Sequence, residues 1–245
     1  ALNAEIARQT LPCYGISLGD ITYSEGSRNS TPSMEIIRGH FSRVNMPIFN
    51  VMGNHDYTYY NTNASSGTSP ESSTINLVSQ RSFENVFGPI NFSFNRGDIH
   101  IVGMRDIVYR YDNTSANYAT GFLPEQYEWL KQDLALVPKD KMVVLCVHIP
   151  LYGSRSKAGS TGHYVKEVHQ LLSKFKEAHV ISGHTHIQRN YEPTKDYPPI
   201  YEHNMGTVCG TWWKSNLCGC GTPNGYGVFI GENGKYKAIF GCCLL

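Results

Sequence analysis

The amino-acid sequence predicts an α/β fold in which apolar strands alternate with amphipathic helices. The first observation is a series of short apolar runs, each of which stops abruptly at glycine or polar residues. The second is a series of longer segments between those runs with apolar residues at helical spacing. The third is the placement of polar residues directly after the strands, where open α/β sheets form their sites.

The strands are predicted from apolar runs and from alternating patterns. Residues 91–105 alternate on either side of Asn95-Arg96-Gly97-Asp98, which predicts a β-hairpin. Asn233-Gly234 follows Glu232 and predicts a second hairpin between two late strands. The predicted strand regions are residues 13–18, 46–52, 91–105, 142–147, 180–181, 200–209 and 226–240.

Helices are predicted where apolar residues recur at helical spacing. The predicted helices cover residues 1–9, 32–41, 123–137 and 164–175, and Pro32 and Pro124 stand in first turns, where proline is tolerated. Residues 57–73 are polar, show no apolar period and predict a long surface loop. Because no repeat or linker occurs, we predict one domain over residues 1–245. The sequence begins inside a helical pattern without Met, and we expect it to be a piece of a longer protein.

Composition excludes several classes of function. The 245 residues carry a net charge of +1, which gives no electrostatic basis for binding a nucleic-acid polymer. No apolar run approaches the roughly 20 residues that a spanning helix needs. Only 17% of the residues are charged, while Asn, Ser, Thr, Gly and Tyr are abundant, which favours an extracytoplasmic location.

Seven cysteines with irregular spacing argue against a disulfide framework, and the absence of any Cys-x-x-Cys pair argues against a zinc knuckle. Cys13 and Cys146 lie in apolar runs and are predicted to be buried thiols. A single disulfide among the late cysteines Cys209, Cys218 and Cys220 is an alternative that the sequence leaves open.

Four predicted strands end in polar residues that can meet at one edge of the fold. These residues are Asp20, Asn54, His148 and His184, and His186 follows two positions later. A carboxylate, an amide oxygen and neutral imidazoles together suit a divalent transition metal such as Zn, Mn or Fe. Gly19, Gly53 and Gly183 precede ligand positions and allow sharp turns there.

Each of these motifs alone also fits a structural role. Gly19-Asp20 is typical of a turn or helix cap, and Asn54-His55-Asp56 fits a polar turn. His148 fits a hydrogen-bonded histidine at a strand end. The whole set, with each motif after an apolar run, favours a shared site.

As a set, Gly19-Asp20, Gly53-Asn54-His55-Asp56, His148 and Gly183-His184-Thr185-His186 resemble the calcineurin-like metallophosphoesterases. The resemblance runs from about residue 13 to residue 186 and more loosely to residue 240. It implies two mixed β-sheets packed as a sandwich between helices, a four-layer αββα fold. The stretch 221–227 is similar to bacterial extracytoplasmic members of the family.

The resemblance also implies roles for the site residues. Asp20 would bridge two divalent metal ions, Asn54, His148 and His184 would complete one ion's ligands, and His186 would bind the other ion. His55 would be the general acid, with Asp56 as its orienting acid. The implied reaction is hydrolysis of a phosphate monoester or diester of a small phosphorylated substrate by a metal-held water.

One departure from the family pattern affects the second metal ion. The pattern opens with an Asp-x-His on an earlier strand, and no such triplet stands among the 19 residues before Asp20. We therefore expect that the first strand of the fold is missing from this sequence. The sequence then keeps a full ligand set for only one of the two metal ions. The alternative to an enzyme is a catalytically impaired, one-metal relative that serves as a binding module. The sequence does not predict an oligomeric state.

Overall fold

The computed structural model describes residues 14–22, 31–57, 72–111, 116–152, 164–195, 200–209, 215–232 and 235–242. The α-helices are α1 (Thr31–Phe41), α2 (Ser72–Phe87), α3 (Pro124–Ala135) and α4 (Val165–Leu172), and Asn54–Asp56 forms a 3₁₀ turn. The strands of the first half are β1 (Gly15–Ser17), β2 (Ile48–Asn50), β3 (Asn91–Arg96), β4 (Ile99–Met104), β5 (Ile107–Tyr111) and β6 (Ala116–Thr120). Those of the second half are β7 (Met142–Cys146), β8 (Glu177–Ser182), β9 (Arg189–Tyr191), β10 (Ile200–Asn204), β11 (Gly225–Glu232) and β12 (Lys235–Cys242).

The central element is a six-stranded mixed sheet with the strand order β3-β4-β7-β8-β10-β9. The four inner strands are parallel to one another, and the edge strands β3 and β9 run antiparallel to their neighbours. Every residue of β7 is buried, which explains why its sequence is continuously apolar rather than alternating. The parallel arrangement places the carboxyl ends of β7 and β8 at the same edge of the sheet.

The two faces of this sheet pack against different layers. On one face, Leu145 and Val180 pack against apolar residues of α3 and α4, including Leu130 and Val168. On the other face, Met142, Val144 and Cys146 contact Val51, which follows β2, together with Ile16 of β1 and Phe229 of β11. A further core joins α1 and α2 to Met52 and Ile149, beside the ends of β2 and β7.

The layering confirms the α/β sandwich flanked by helices that the sequence predicted. Within the described residues the second strand layer consists of separate pairs, β1 with β2 and β11 with β12, and β5 pairs with β6. Each of the predicted strands and helices that falls on described residues is present, with bounds that differ by a few residues; β8, for example, covers Glu177–Ser182 where only residues 180–181 were predicted. The predicted helix at residues 1–9 and most of the predicted loop 57–73 lie outside the described residues.

Helix α2, the β5–β6 hairpin and the short edge strand β9 were not predicted from the sequence. Helix α2 begins at Ser72, where the sequence predicted loop, and the β5–β6 hairpin carries no strong alternation. Cys146 is a buried thiol as predicted, Cys218 and Cys220 are free thiols, and Cys13 lies outside the described residues. No described helix combines the length and apolarity needed to cross a membrane.

Candidate metal centre

Four polar side chains from the ends of four strands meet at one point. Asp20 and Asn54 follow β1 and β2, which are parallel neighbours, while His148 and His184 follow the parallel neighbours β7 and β8. Asn54 Oδ1 lies 3.0 Å from His148 Nε2 and 3.0 Å from His184 Nδ1. His148 Nε2 lies 3.2 Å from Asp20 Oδ2 and 3.2 Å from His184 Nδ1. The structure thus brings together four of the five ligands that the sequence predicted.

The tautomer of His148 follows from its second nitrogen. Nδ1 lies 2.7 Å from the carbonyl oxygen of Leu18, and a carbonyl oxygen only accepts hydrogen bonds, so Nδ1 carries the proton. In the neutral ring Nε2 therefore presents a lone pair toward the Asp20 carboxylate and the Asn54 amide oxygen. A backbone oxygen behind a metal-binding histidine is the usual means of fixing the ring for ligation.

The convergence of lone pairs makes a cation the natural occupant of this point. One ligand atom each of Asp20, His148 and His184 lies within 4.8 Å of the others. Lone pairs that face one another repel unless a proton or a metal ion lies between them. Carboxylate, amide oxygen and two imidazoles are the donor set of divalent transition metals, so these residues fit such an ion.

The clustered side chains also shift one another's pKa values. Burial alone lowers the pKa of His148, but the adjacent Asp20 carboxylate outweighs it and raises the pKa to about 9. Burial raises the pKa of Asp20, and the charge of His148 and their hydrogen bond lower it to about 2. Burial and then the positive charge of His148 lower the pKa of His184 to about 4, so His184 is neutral near pH 7.

Backbone strain is concentrated at the same point. Among the described residues, four non-glycine positions have positive φ, and three of them are Asp20 (52°), His184 (65°) and His186 (56°). A left-handed conformation in an ordinary residue costs on the order of 1–3 kcal/mol, and it persists only where the surroundings enforce it. The strain therefore marks the ligand-bearing loops as held in place.

Gly19 and Gly53 allow the two loops from β1 and β2 to approach each other. Gly19 has φ 96°, and a Cβ built there would lie 2.7 Å from Gly53 N and 2.7 Å from His148 Nδ1. A Cβ at Gly53 would collide with the backbone nitrogen and Oδ1 of Asp20. Both glycines are needed for the close approach of backbone to ligand.

The carboxylate of Asp56 joins the loops after β1 and β2 through hydrogen bonds. This carboxylate is fully buried and accepts hydrogen bonds from Gly53 N (2.8 Å), Thr22 N (2.9 Å) and Thr22 Oγ1 (3.2 Å). Burial, followed by the negative charge of Asp20, raises the pKa of Asp56 to about 7. These contacts tie the loop after β1 to the 3₁₀ turn, and the predicted role of Asp56 as an orienting acid stays a prediction.

His55 and His186 lie beside the cluster rather than in it. The backbone N–H of His55 donates to Asp20 Oδ1 at 2.9 Å, and the His55 ring is half-buried. The cluster of three ligands does not include His186 among the described residues. Burial lowers the pKa of His186, and the charge of Asp20 opposes that effect, so the two groups act on each other electrostatically. The assignment of His186 to a second ion stays a prediction.

Asp106 is a site residue that the sequence reasoning missed. It is fully buried just after β4, and its carboxylate accepts hydrogen bonds from the backbone nitrogens of His148 (3.0 Å) and Ile149 (3.0 Å). Burial raises its pKa to about 7. The carboxylate fixes the chain where His148 leaves the sheet. The sequence carried the same signal for Asp106 as for Asp20, because both carboxylates follow closely after an apolar strand.

The aromatic residues near the motifs have different roles. Tyr57 is fully buried, and its hydroxyl donates to the Ile107 carbonyl oxygen at 2.9 Å, so it packs in the core and offers no face to a ligand. Tyr152 stacks on Tyr191 with ring centroids 3.9 Å apart. Tyr118, on the β5–β6 hairpin, contacts the His184 ring edge-on at 6.2 Å. The hairpin therefore forms one wall of the centre.

Comparison with known proteins assigns the whole arrangement to a family. A family model described as calcineurin-like phosphoesterase matches residues 15–188, and one described as the C terminal of calcineurin-like phosphoesterase matches residues 202–242. Purple acid phosphatase 15 of Arabidopsis thaliana is 31% identical over 118 residues, which cover 45% of this chain and 20% of the relative. The chain thus spans about a fifth of that relative's length.

One solved structure shows the same fold at low sequence identity. A dimetal phosphatase from Danio rerio superposes with a TM-score of 0.51 at 15% identity, over 79% of this chain and 72% of that one. The purple acid phosphatase PPD1 from yellow lupin (Lupinus luteus) seeds has a TM-score of 0.47 at 16% identity, over 79% of this chain and 36% of its own.

Replacing Gly19 by Ala is expected to disrupt the centre. The new Cβ would meet Gly53 and His148 in a backbone conformation that L-residues rarely adopt, so we expect a loss of at least roughly 1–3 kcal/mol in the free energy of unfolding. Gly39, on helix α1, is the matched control, because nothing lies within 4 Å of its Cβ position. Gly39→Ala should stabilise by roughly 0.4–1 kcal/mol. Urea unfolding measures both, and equal stability of the two variants would contradict the close approach.

Metal binding at pH 8 is expected to release about one proton. The pKa of His148 is raised to about 9, so the ring is mostly protonated at pH 8, and Nε2 must lose that proton to bind a metal. The pKa values of Asp56 and Asp106, about 7, lie below this pH, so these carboxyls contribute little. Calorimetric titration with Zn²⁺ in buffers of different ionisation enthalpy measures the release. The number of protons released should decline as the pH rises past 9. A release that does not change with pH would contradict the assignment of His148 as a metal ligand.

Proposed function

The chain belongs to the calcineurin-like phosphoesterase family, and we propose that it is a metal-dependent phosphoesterase that hydrolyses a small phosphorylated substrate. The observation that carries the proposal is the convergence of Asp20, Asn54, His148 and His184 with their lone pairs on one point. This donor set fits a divalent transition metal, and a folded chain has little other reason to bury it in strained loops.

Bound divalent ions supply Lewis-acid polarisation of a phosphoryl group and lower the pKa of water, which is the chemistry that phosphoester hydrolysis needs. Asp20, Asn54, His148 and His184 would hold one ion, which we propose to be Zn, Mn or Fe. Asp20 would bridge to a second ion with His186, and the mutual electrostatic influence of these two residues supports that pairing. The second ion's other ligands would lie outside the described cluster.

His55 is proposed to protonate the leaving oxygen. Two hydrogen bonds fix its backbone, since its N–H donates to Asp20 Oδ1 (2.9 Å) and its carbonyl oxygen accepts from Thr22 Oγ1 (3.1 Å). His55 influences the pKa values of Asp20 and His184, which supports a position of its ring near these candidate ligands. A proton donor at this position is worth roughly 10²–10⁴-fold in rate. Asp56 would support His55 by fixing the turn that carries it.

A binding module with a single ion is the second candidate. It is favoured by the fact that the described residues form one cluster of three His, Asp, Glu or Cys ligands. Such a module has no use for a proton donor, so the two functions differ in what His55 contributes.

His55→Ala is expected to lower turnover in a way that depends on the leaving group. An alkoxide needs a proton to depart, so hydrolysis of an alkyl phosphate should fall by roughly 10²–10⁴-fold. Nitrophenolate departs readily without a proton, so hydrolysis of nitrophenyl phosphate should fall much less. Rates with both esters, and with the matching diesters, measure this, and chelation of the metal should abolish all of them.

His40→Ala is the matched control, because His40 lies on the exposed face of α1 and should leave both rates unchanged. Metal content by elemental analysis should be the same in wild type, His40→Ala and His55→Ala. Metal binding without turnover in the wild type would favour the binding module. Equal losses for the two leaving groups would contradict the role of His55 as proton donor.

A further inference from the structure

The loop that presents His184 contains an unusually tight turn. The backbone N–H of Thr185 donates to the carbonyl oxygen of Gly183 at 2.7 Å, and the residue between them, His184, has φ 65°. A hydrogen bond from residue i+2 to residue i around a positive φ is the rarer and more strained of the two γ-turn forms. Something outside the turn must hold it in this conformation.

The side chain of Asn204 binds this turn on both sides. Asn204 is the last residue of β10, stands opposite Ser182 in the parallel pairing with β8, and is 2% exposed. Its amide nitrogen donates to Ser182 Oγ at 3.2 Å and to the carbonyl oxygen of Gly183. Its amide oxygen accepts from Thr185 Oγ1. Both N–H groups and the oxygen are therefore used on the segment that contains His184.

These bonds hold the two ends of the γ-turn at a fixed separation. Gly183 O accepts from Thr185 N and from Asn204 Nδ2 at once, while Asn204 Oδ1 holds the Thr185 side chain. Relaxation of His184 to a negative φ would break several of these partly buried bonds. The backbone bonds Met205 N to Ser182 O (2.7 Å) and Gly183 N to His148 O (2.9 Å) anchor the preceding residues but do not reach past His184.

We propose that Asn204 is the positioning residue of the metal centre, which keeps His184 in its strained conformation with Nδ1 directed at the ligand cluster. The inference rests on the proposed function, because it assumes that His184 binds a metal ion. Asn204 itself does not touch the ion. It acts through the backbone around His184, whose Nδ1 lies 3.0 Å from Asn54 Oδ1 and 3.2 Å from His148 Nε2.

Metal affinity of the folded protein tests this proposal. Competition titration with Zn²⁺ against a chromogenic chelator should show that Asn204→Ala binds roughly 10–100-fold more weakly than wild type. Asn224→Ala is the matched control, because Asn224 is 1% exposed and its side chain donates to Ser215 O at 2.9 Å, in a loop without metal ligands. Asn224→Ala should lose comparable thermal stability and retain metal affinity within about twofold.

A double-mutant cycle separates positioning from general loosening of the site. In a His184→Ala background the ligand is already gone, so Asn204→Ala should cost less than about twofold in affinity. If Asn204→Ala does not fold by circular dichroism, Thr185→Val decides instead. This variant keeps the side-chain shape and removes the hydroxyl that donates to Asn204 Oδ1 and accepts from Ile187 N, and it should weaken metal binding by roughly 3–10-fold.

The outcomes separate this inference from the proposed function. Failure of the wild type to bind Zn²⁺ would overturn the metal site and with it the role of Asn204. Wild-type affinity in Asn204→Ala, or in Thr185→Val where that variant decides, would overturn the role of Asn204 alone. The role of Asn204 would also be overturned if Asn224→Ala lost as much Zn²⁺ affinity as Asn204→Ala. The same holds if Asn204→Ala lowered Zn²⁺ affinity as strongly in the His184→Ala background as in the wild type.

Discussion

The hydrogen bond from His148 Nδ1 to the Leu18 carbonyl oxygen is the contact on which the centre depends. It joins β7 of the six-stranded sheet to the loop after β1, and so spans the two strand layers. Because the carbonyl can only accept, it fixes the tautomer and directs the Nε2 lone pair at Asp20 and Asn54. Without this hydrogen bond the His148 ring could rotate or move its proton to Nε2. Asp20 and Asn54 would then have no fixed lone pair of His148 directed toward them.

The fold supports this contact with a rigid frame and a second set of polar bonds. The apolar core between the strand layers fixes β7 against β1 and β2, so the four strand ends meet in one geometry. Asp106 holds the backbone of His148, Asp56 holds the loops that carry Asp20 and Asn54, and Asn204 holds the turn at His184. Each of these carboxylates or amides is buried, where the loss of a hydrogen-bond partner is costly. Two of the candidate ligands, Asp20 and His184, therefore stand in strained conformations that the supporting residues enforce.

The sequence predicted the ligands better than their supports. Asp20, Asn54, His148 and His184 follow apolar runs, and the rule that sites form outside the carboxyl ends of the strands is enough to infer that they meet. Asp106 and Asn204 also follow apolar runs, but their role depends on which strands are neighbours, and the pairing of β8 with β10 cannot be read from local periodicity. Helix α2 and the β5–β6 hairpin were missed because their patterns are weak and tertiary packing stabilises them. His186 was predicted to bind the second ion, and this assignment stays a prediction; both His184 and His186 have a positive φ, so the two residues do not follow strand geometry.

X-ray diffraction from crystals grown with Zn²⁺, with data collected on both sides of the metal absorption edge, tests the central claim most directly. The account predicts an anomalous peak between Asp20, Asn54, His148 and His184, with His148 Nε2 and His184 Nδ1 about 2.0–2.1 Å from it. The Leu18 carbonyl should remain hydrogen-bonded to His148 Nδ1 in that crystal. A peak elsewhere in the chain, no peak at saturating Zn²⁺, or ligation through His148 Nδ1 would contradict the account.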